Sequence, residues 1–506
     1  MAKIDITNFF SGISFSDRIG KEGSFFIGKS VNLFNPSHYG YMCPGPESVL
    51  ITNTISEVNA KSVIDDFNKK MYFADTAGRI MEVSTVTNLA TFGTVFPHTV
   101  SPHGAHAGPA KITDLVIYNI GTDLDRLMYA WNDGVDGDIG AYNISAGSFD
   151  DDYMSTVPSG AGVLDRVQPH PMLQWGENGF LYIVDGGDIE AFDGKNSVFT
   201  ENKLQLPLGY LAYALFDAGE FLGICARKIM VDYGTDYSGL FTGQNVVFFW
   251  DGTSPNFNRR IPIDDPVVKA AFNLNNELLL FTIDHNKKGV IKNFDGNRFN
   301  MIQVLENNVS GESSGHYPTS HGSVGFFRNS LLIGEKNHGN LFLYGSPEIG
   351  VPKSLSNPIS FVSTSTQIGA PITGSAGIVY FTAWNGSVGS IRRADMTSVD
   401  SARMQYKSLY YEFPQRTRIN YVKLYFKALA SGQGDDVLLD LDYGDRQIHI
   451  GNISYAGDGV ITSKKLTITP DNQICDNFRV FIRPDEGAGI KYGRIEVDYE
   501  ILEKDI

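Results

Sequence analysis

Residues 23–30, GSFFIGKS, match the pattern G-x-x-x-x-G-K-[ST], which wraps the phosphates of bound nucleotides in many enzymes. That chemistry requires a buried strand before the loop and, after it, a helix whose N-terminal amides hold the phosphates. The downstream segment VNLFNPSHYGYMCPGP contains three prolines where the helix would have to propagate. The loop interior, Phe25-Phe26-Ile27, is apolar and has strand preference. We therefore predict an extended segment here, without a nucleotide site or other cofactor.

Two further groups carry metal-ligating side chains. The segment WNDGVDGDIG (131–140) places Asp133, Asp136 and Asp138 in a Gly-rich loop, and carboxylate oxygens on a flexible turn are what Ca²⁺ prefers. The spacing departs from the known calcium loop, so an exposed turn between strands is the favoured interpretation.

The segment PHTVSPHGAHAG (97–108) contains three histidines, and the last two have the H-x-x-H separation that can reach one transition metal. No cysteine lies nearby to complete the site, so a Gly- and Pro-containing loop is favoured over a metal centre. We assign no metal to this loop or to the Asp loop and leave both possibilities open. The three histidines are His98, His103 and His106.

Catalytic motifs of the nucleophile-elbow, zinc-protease and sialidase types are missing from the sequence. Carboxylate pairs such as Asp440 with Asp442 could serve sugar hydrolysis, but a chain with 57 acidic residues offers many such pairs. Alternation along a strand places Asp440 and Asp442 on one polar face. We expect no catalytic residues, and a polysaccharide-binding or polysaccharide-degrading protein remains the alternative.

The elements that position these residues are strands. The chain of 506 residues has 53 Gly, 24 Tyr and 33 Phe with only 19% charged residues, which is typical of short strands joined by tight turns. One module recurs: an apolar strand, a polar turn, a second strand, and an aromatic-Asp-Gly or Asn-Gly end. Clear aromatic-Asp-Gly copies end at Gly194, Gly252 and Gly296, where we expect glycine to provide positive φ.

Seven such units begin about 52 residues apart, which is close to the length of a four-stranded propeller blade. Their first apolar strands begin near Val63, Val116, Met172, Tyr213, Ala271, Val324 and Ile378. We predict an all-β protein with an extended N-terminal arm at 1–48, a β-propeller of about seven blades at 49–400, and a β-sandwich or jelly roll at 401–506, where strands are longer and alternate cleanly.

Charge and hydropathy limit the partners. A formal charge of −16 and a pI near 5.1 argue against nucleic-acid binding, which needs clustered Lys and Arg. No run approaches the ~18 apolar residues of a membrane span, and the N-terminus lacks the apolar core of a secretion signal. Cys43, Cys225 and Cys475 are few and far apart, which predicts reduced thiols. We expect folding in a reducing cytoplasm, without membrane insertion.

The segment FSGISFSDRIGKEGSFFIGKSVNLFNP (10–36) resembles the start of propeller-bearing structural proteins of tailed bacteriophages. The matching residues are Gly12-Ile13, Arg18, Gly20, Gly23-Ser24-Phe25, Gly28 and Asn35-Pro36. The order of arm, repeats and terminal strand domain is also similar to that of such proteins, although the residue-level likeness is confined to this segment.

This resemblance implies a non-enzymatic virion protein, assembled in the host cytoplasm and associated with the tail tip, baseplate or nozzle. The partners it implies are other virion proteins, further copies of this chain, and a host surface glycan or receptor. The apolar run would then dock the arm onto its own propeller or onto a neighbouring subunit. We therefore predict partner contacts at Arg18, Phe25, Phe26, Ile27 and Lys29.

Overall fold

The computed structural model describes most of the chain. The described residues are 2–7, 9, 12–14, 24–35, 41–55, 61–74, 78–95, 111–119, 125–132, 137–159, 164, 169–228, 244–305, 321–335, 338–346, 351–361, 366–374, 377–399, 404–427, 437–454, 458, 460–484 and 490–502. Within them, no helix has the length and apolar character needed to cross a bilayer.

The strands of the first half of the chain are as follows. The N-terminal strands are β1 Ala2–Ile6, β2 Phe25–Lys29, β3 Val31–Asn32, β4 Cys43–Pro44 and β5 Ser48–Ile55. The first blade contains β6 Ser62–Asp65, β7 Lys70–Ala74, β8 Arg79–Ser84 and β9 Ala90–Val95. The second contains β10 Lys111–Tyr118, β11 Arg126–Asn132, β12 Gly137–Asn143 and β13 Ser148–Asp150, followed by a single helical turn, α1 Tyr153–Thr156. The third contains β14 Met172–Trp175, β15 Phe180–Asp185, β16 Asp188–Asp193 and β17 Val198–Gln205.

The remaining blades and the C-terminal strands follow along the second half of the chain. The fourth blade contains β18 Tyr210–Asp217, β19 Leu222–Lys228, β20 Asn245–Trp250 and β21 Arg259–Ile263, and the fifth β22 Val267–Leu274, β23 Glu277–Ile283, β24 Gly289–Phe294 and β25 Phe299–Val304. The sixth contains β26 Val324–Phe327, β27 Ser330–Gly334, β28 Asn340–Gly345 and β29 Ser354–Ser360, and the seventh β30 Gln367–Thr373, β31 Ile378–Trp384 and β32 Gly389–Asp395. The C-terminal strands are β33 Gln405–Ser408, β34 Tyr411–Phe426, β35 Val437–Asp442, β36 Gln447–Ile453, β37 Ser463–Thr467, β38 Ile474–Pro484 and β39 Tyr492–Ile501; 3-10 turns lie at His321–Ser323 and Pro470–Asn472.

The seven blades form a closed β-propeller, which confirms the predicted fold class. Each blade is an antiparallel sheet. In the first six blades the four strands follow the chain order from the axis outward, whereas in the seventh β30, β31 and β32 are followed by β5. Neighbouring innermost strands contact one another around the ring, and β30 of the seventh blade contacts β6 of the first. Six of the seven predicted first strands are innermost strands, whereas Ile378 lies in β31, the second strand of its blade.

The blade strands differ in sequence because they differ in burial. The second strand of a blade is covered on both faces by neighbouring blades, so β15 (FLYIVD) and β23 (ELLLFTI) are nearly continuous apolar runs. The outermost strand is more exposed, and β17 (VFTENKLQ) carries polar side chains at most positions. The repeat is recognisable because each blade passes through the same gradient of burial.

The predicted glycine turns divide into two kinds. Gly252 and Gly296 have φ of +78° and +94°, as the Asp-Gly pattern indicates. Gly194 does not; in its turn the positive φ falls on Ser197, at +54°. Gly194 is instead constrained by close packing, since a Cβ there would lie 2.3 Å from Cε1 of Tyr118, whose hydroxyl accepts the Gly194 N–H at 2.8 Å.

The C-terminal strands form one nine-stranded network of antiparallel pairs with two N-terminal strands. One branch contains β1, β39, β34 and β37, and the other contains β2, β33, β38, β35 and β36; the first half of β34 pairs with β38 and joins the branches. The described strands within residues 1–48, predicted as an extended arm, pair with sheets formed by later parts of the chain. β1 and β2 extend the C-terminal network, while β3 and β4 extend the sixth blade, because sheet edges carry unpaired backbone groups that an extended segment can satisfy.

Candidate functional site

Of the residues singled out at the N-terminus, those that the structure describes lie at the junction of the propeller and the C-terminal network. We call the described residues 12–14, 24–35 and 41–55 the N-terminal tie. The tie contacts the C-terminal network, the sixth blade and the seventh blade. Six of its apolar side chains belong to the same core cluster as those of the sixth blade and the C-terminal strands: Ile13, Phe25, Val31, Leu33, Phe34 and Met42. This junction is the candidate site because it contains the described part of the nucleotide-like pattern, residues 24–30, and with it four of the five predicted partner contacts.

Phe25 anchors the tie to the C-terminal network. Its side chain is 0% exposed, and its ring centroid lies 5.5 Å from that of Tyr406 in β33, which in turn meets Phe9 edge-on at 5.9 Å. The backbone N–H of Phe25 donates to Gly12 O at 3.0 Å, and its carbonyl accepts Ser14 N–H at 2.8 Å. Burial on this scale gives Phe25 a structural reason to be aromatic.

The sixth blade holds the tie through its outermost strand, β29. Val31 pairs with Asn357, and the Ser356 hydroxyl donates to Val31 O at 2.5 Å while accepting Leu33 N–H at 3.3 Å. Gly12 has φ +69°, and a Cβ there would lie 2.5 Å from Leu355 O. Because the backbones approach this closely, the glycine of the Gly12-Ile13 pair is required by geometry.

The seventh blade and the last strand receive the rest of the tie. Asn32 Nδ2 donates to Met396 O at 3.0 Å, and Asn35 Nδ2 donates to Thr397 O at 3.0 Å. Met42 and Tyr492 exchange backbone hydrogen bonds of 2.8 and 2.9 Å. β5 then pairs with β32 as the outermost strand of the seventh blade, from Gly389 opposite Ile55 to Ala394 opposite Ser48, and so closes the ring.

The nucleotide-like pattern is a strand, as the sequence predicts. β2 runs from Phe25 to Lys29, Ser30 turns the chain with φ of 50°, and β3 begins at Val31. The Lys-Ser end therefore leads into a second strand, and its backbone amides have no helical arrangement in which to hold a phosphate. Gly28 is needed for packing, since a Cβ there would lie 2.4 Å from Cε2 of the Phe25 ring.

The structure places the predicted partner contacts unequally. Phe25 is buried within its own chain, so its side chain has no surface to offer to a neighbouring subunit. Ile27 and Lys29 pair through their backbones with Lys407 and Gln405. The side chains of Phe26, Ile27 and Lys29, and all of Arg18, lie outside what the structure describes.

Of the candidate metal ligands, only Asp138 lies within the described residues; Asp133, Asp136, His98, His103 and His106 do not. Asp138 is 2% exposed in β12, and its Oδ1 accepts Ile139 N–H at 2.7 Å. Burial raises the pKa of this carboxyl to about 7. In the described part of the chain, no three His, Cys, Asp or Glu side chains are grouped so as to hold a metal ion.

Asp440 and Asp442 share one face of β35, and cations neutralise both. Asp440 is 1% exposed and accepts His449 Nδ1 at 2.9 Å and Arg483 Nε at 3.2 Å. Asp442 pairs with Arg479 at 2.7 Å. Burial alone raises the pKa of Asp442, but hydrogen bonds from Gly444 N–H and Arg479 leave it below its ordinary value. A general acid for sugar hydrolysis needs a raised pKa, so Asp442 is suited to an ion-pair network instead.

The three cysteines are thiols buried in the core, and none is in a disulfide. Burial raises the pKa of Cys43, Cys225 and Cys475 to about 12. Since the reactive form of cysteine is the thiolate, these residues are packing residues.

Sequence reasoning missed Asn32, Ser356 and Tyr492 as parts of the site. Asn32 and Ser356 each form a hydrogen bond with a backbone group more than 300 positions away, and Tyr492 forms an isolated β-bridge with Met42. Contacts of these two kinds leave no local signal in the sequence. The Asn32 side chain, which is fully buried, could have been suspected from its place in the apolar segment VNLF.

Comparisons with known proteins concern the fold alone. No protein-family model matches the chain, and no curated protein matches it. Raptor from Chaetomium thermophilum is 16% identical with a TM-score of 0.45, over 69% of this chain and 29% of that chain. The RRP9 WD40 repeats are 11% identical with a TM-score of 0.46, over 70% of this chain and 99% of that one. U3-55K is 11% identical with a TM-score of 0.45, over 69% of this chain and 98% of that one.

Proposed function

We propose that this chain is a non-enzymatic structural component of a tailed-bacteriophage virion, associated with the tail tip, baseplate or nozzle, and that it serves there as a rigid platform for other virion proteins. Further copies of the chain and a host surface glycan or receptor are the other partners we propose. The proposal rests first on the resemblance of residues 10–36 to the start of phage propeller proteins.

The observation that carries the proposal is the structural use of those matching residues. Gly12 approaches Leu355, Phe25 fills the core beside Tyr406, Gly28 accommodates the Phe25 ring, and Asn35 holds Thr397. The described residues of the resemblance therefore include several that fasten the N-terminal tie to the sixth blade, the seventh blade and the C-terminal network. A group of residues that maintains one junction is what we expect of an assembly protein, because such a protein must keep its binding surfaces in fixed relation.

The test is the composition of purified particles. Particles released from cells that carry this gene in its native genome are purified on a density gradient, and the chain is quantified by mass spectrometry against the major capsid protein. We expect a fixed molar ratio across independent preparations and gradient fractions. Deletion of the gene should give particles that lack tail density by electron microscopy, and expression of the intact gene in trans should restore it.

Two results would contradict the proposal. The first is that the chain is lost from the particles during the density gradient and that particles made after deletion of the gene have normal tails. The second is release of reducing sugar ends when the purified chain is incubated with host surface polysaccharide, which would favour the polysaccharide-degrading alternative. Particle composition and sugar release are independent readouts, so each result has one interpretation.

A further inference from the structure

The axis of the propeller contains a cavity of about 530 Å³, here called the channel cavity. Its wall comes from the innermost strands of six blades, with the fourth blade as the exception among the described lining residues. This volume lies within the range of about 300–1,000 Å³ that is typical of small-molecule sites.

The wall of the channel cavity is mainly apolar. Six blades each present a large apolar side chain that is only partly buried: Ile64, Ile117, Leu173, Phe272, Phe326 and Ile372. Phe326 is 48% exposed and lies edge-on to Phe272, with ring centroids 5.8 Å apart. A contiguous exposed apolar surface inside a concave site indicates a ligand or partner that covers it.

The charges of the channel cavity are opposite to those of the whole protein. The chain carries a formal charge of −16, yet the described lining residues include Lys61 and Arg328 and no Asp or Glu. Lys61 forms an ion pair with buried Asp114. Arg328 is exposed, and no carboxylate among the described residues lies within salt-bridge distance of it. Its guanidinium lies over the Phe327 ring, 5.5 Å from the ring centroid, and among the described lining residues it is the cation that has no carboxylate partner.

Arg328 stands at one end of the apolar wall. It directly follows the last residue of β26, whereas Lys61 directly precedes the first residue of β6. Because each blade has four antiparallel strands, all innermost strands run in the same direction along the axis, so these two cations lie towards opposite ends. A ligand with one anionic end and a long apolar body matches this polarity.

The side-chain hydroxyls of the wall are already used. Ser62 Oγ donates to Ala370 O at 2.9 Å, and Thr373 Oγ1 donates to Phe326 O. A polypeptide in the cavity would need partners for an N–H and a C=O at every residue, and burying them unpaired is costly. A hydrocarbon chain needs no partners and gains roughly 0.8 kcal/mol for each CH₂ group removed from water.

We propose that the channel cavity binds an aliphatic carboxylate, with its hydrocarbon chain against Ile117, Phe272 and Phe326 and its carboxylate on Arg328. This ligand class does not depend on the virion role, and the binding step involves no covalent chemistry.

The test is calorimetric titration of the full chain with dodecanoate below its micellar concentration, with dodecanol as the uncharged probe. We expect saturable binding of one dodecanoate per chain, and about tenfold weaker binding of dodecanol, since it lacks the charge that pairs with Arg328. Arg328→Gln should weaken dodecanoate about tenfold and leave dodecanol unchanged. Phe326→Asp should weaken both probes by more than about tenfold, because it places a charge on the apolar wall.

Matched control variants lie outside the cavity. Arg298→Gln removes an exposed guanidinium from the turn between β24 and β25, and Phe67→Asp replaces an aromatic residue that is 86% exposed. Both should bind dodecanoate as the wild type does. Since Phe326 and Arg328 are themselves exposed, their variants should keep the wild-type circular dichroism and melting temperature.

Three outcomes would overturn the proposal: no saturable dodecanoate binding, equal affinity for dodecanoate in the wild type and in Phe326→Asp, or equal affinity for dodecanoate and dodecanol. An acidic, leucine-rich synthetic peptide forms the competing arm. Peptide binding that Phe326→Asp abolishes and dodecanoate does not displace would assign the cavity to a polypeptide instead.

Discussion

The hydroxyl of Ser356 donates a 2.5 Å hydrogen bond to the carbonyl of Val31, a residue 325 positions earlier in the chain. The same hydroxyl accepts the N–H of Leu33. One buried serine thus satisfies two backbone groups of the N-terminal tie and registers it against the sixth blade.

Ser356→Ala should leave those two backbone groups unsatisfied in the core and lower the free energy of unfolding by about 1–3 kcal/mol. Ser387→Ala is the matched control, because the Ser387 hydroxyl lies in an exposed turn and bonds only Asn385 nearby. Its effect should stay within about 0.5 kcal/mol. Thermal unfolding followed by fluorescence measures both; equal midpoints for the two variants would contradict the assigned role of Ser356.

Gly45→Ala tests steric closeness in the tie. A Cβ at Gly45 would lie 1.7 Å from Pro358 O, so the backbones must separate, and we expect a loss of at least about 3 kcal/mol or failure to fold. Gly386→Ala is the comparison: Gly386 has φ +96° with no atom within 4 Å of its Cβ position, and strain alone should cost about 1–2 kcal/mol. Soluble yield and melting temperature should rank Gly45→Ala below Gly386→Ala, and the reverse order would show that the tie is not closely packed.

Phe25→Ala should remove a fully buried ring and destabilise the isolated chain by about 3–5 kcal/mol. Hydrogen exchange should accelerate at Gln405–Ser408, the strand that pairs with β2. Phe67→Ala, at an exposed position, should change neither stability nor exchange. If Phe25 served a second subunit instead, its removal would leave the isolated chain unaffected.

Asp138 makes stability depend on pH. Its pKa rises from an unfolded value of 3.8 to about 7, so between these values the folded state holds a proton that the unfolded state releases. The contribution of Asp138 to the free energy of unfolding therefore falls as the pH rises from about 4 to about 7, and it is constant above pH 7. The full effect is on the order of 4 kcal/mol.

Asp138→Asn keeps the side chain neutral at all pH values. The difference in melting temperature, variant minus wild type, should increase from pH 5 to pH 8, because only the wild type acquires a buried charge over that interval. A difference that is constant with pH would contradict the raised pKa. Asp295→Asn, in an exposed turn, serves as the control. Backbone N–H groups of Arg298 and Asn297 lower the pKa of the Asp295 carboxyl, so it stays charged across this interval and its variant should show no such trend.

The blades could be predicted from the sequence because their signals are local. Apolar runs such as β15 and turns such as the one at Gly252 repeat with each blade, and each is set by residues within a few positions of one another. The nearly correct spacing of the units and six of the seven innermost strands follow from these patterns alone.

The N-terminal tie could not be predicted in the same way. Its strands β2, β3 and β4 are short, and the partners of the tie outside the seventh blade, Asn357, Gln405–Ser408 and Tyr492, lie in distant parts of the chain. The partner of each strand in the tie depends on which sheet edges remain unpaired after the blades form. The sequence of the tie contains no information about those edges. The sequence left open whether the apolar run that contains Phe25 docks onto its own chain or onto a neighbouring subunit, and Tyr406 as its partner could not be predicted.

The closure of the ring by β5 has a consequence for biosynthesis. The Arg392 guanidinium donates hydrogen bonds to the hydroxyl and the carbonyl of Ser48, a residue 344 positions earlier in the chain. Ser48 therefore emerges from the ribosome long before its partner. Until translation has passed β32, β5 lacks its partner strand and the ring of blades cannot close. Pairing of segments so far apart in sequence also slows folding. Premature termination anywhere before that point cannot yield a smaller working ring; it leaves a chain whose ends never meet and which quality-control proteases can recognise by its exposed edge.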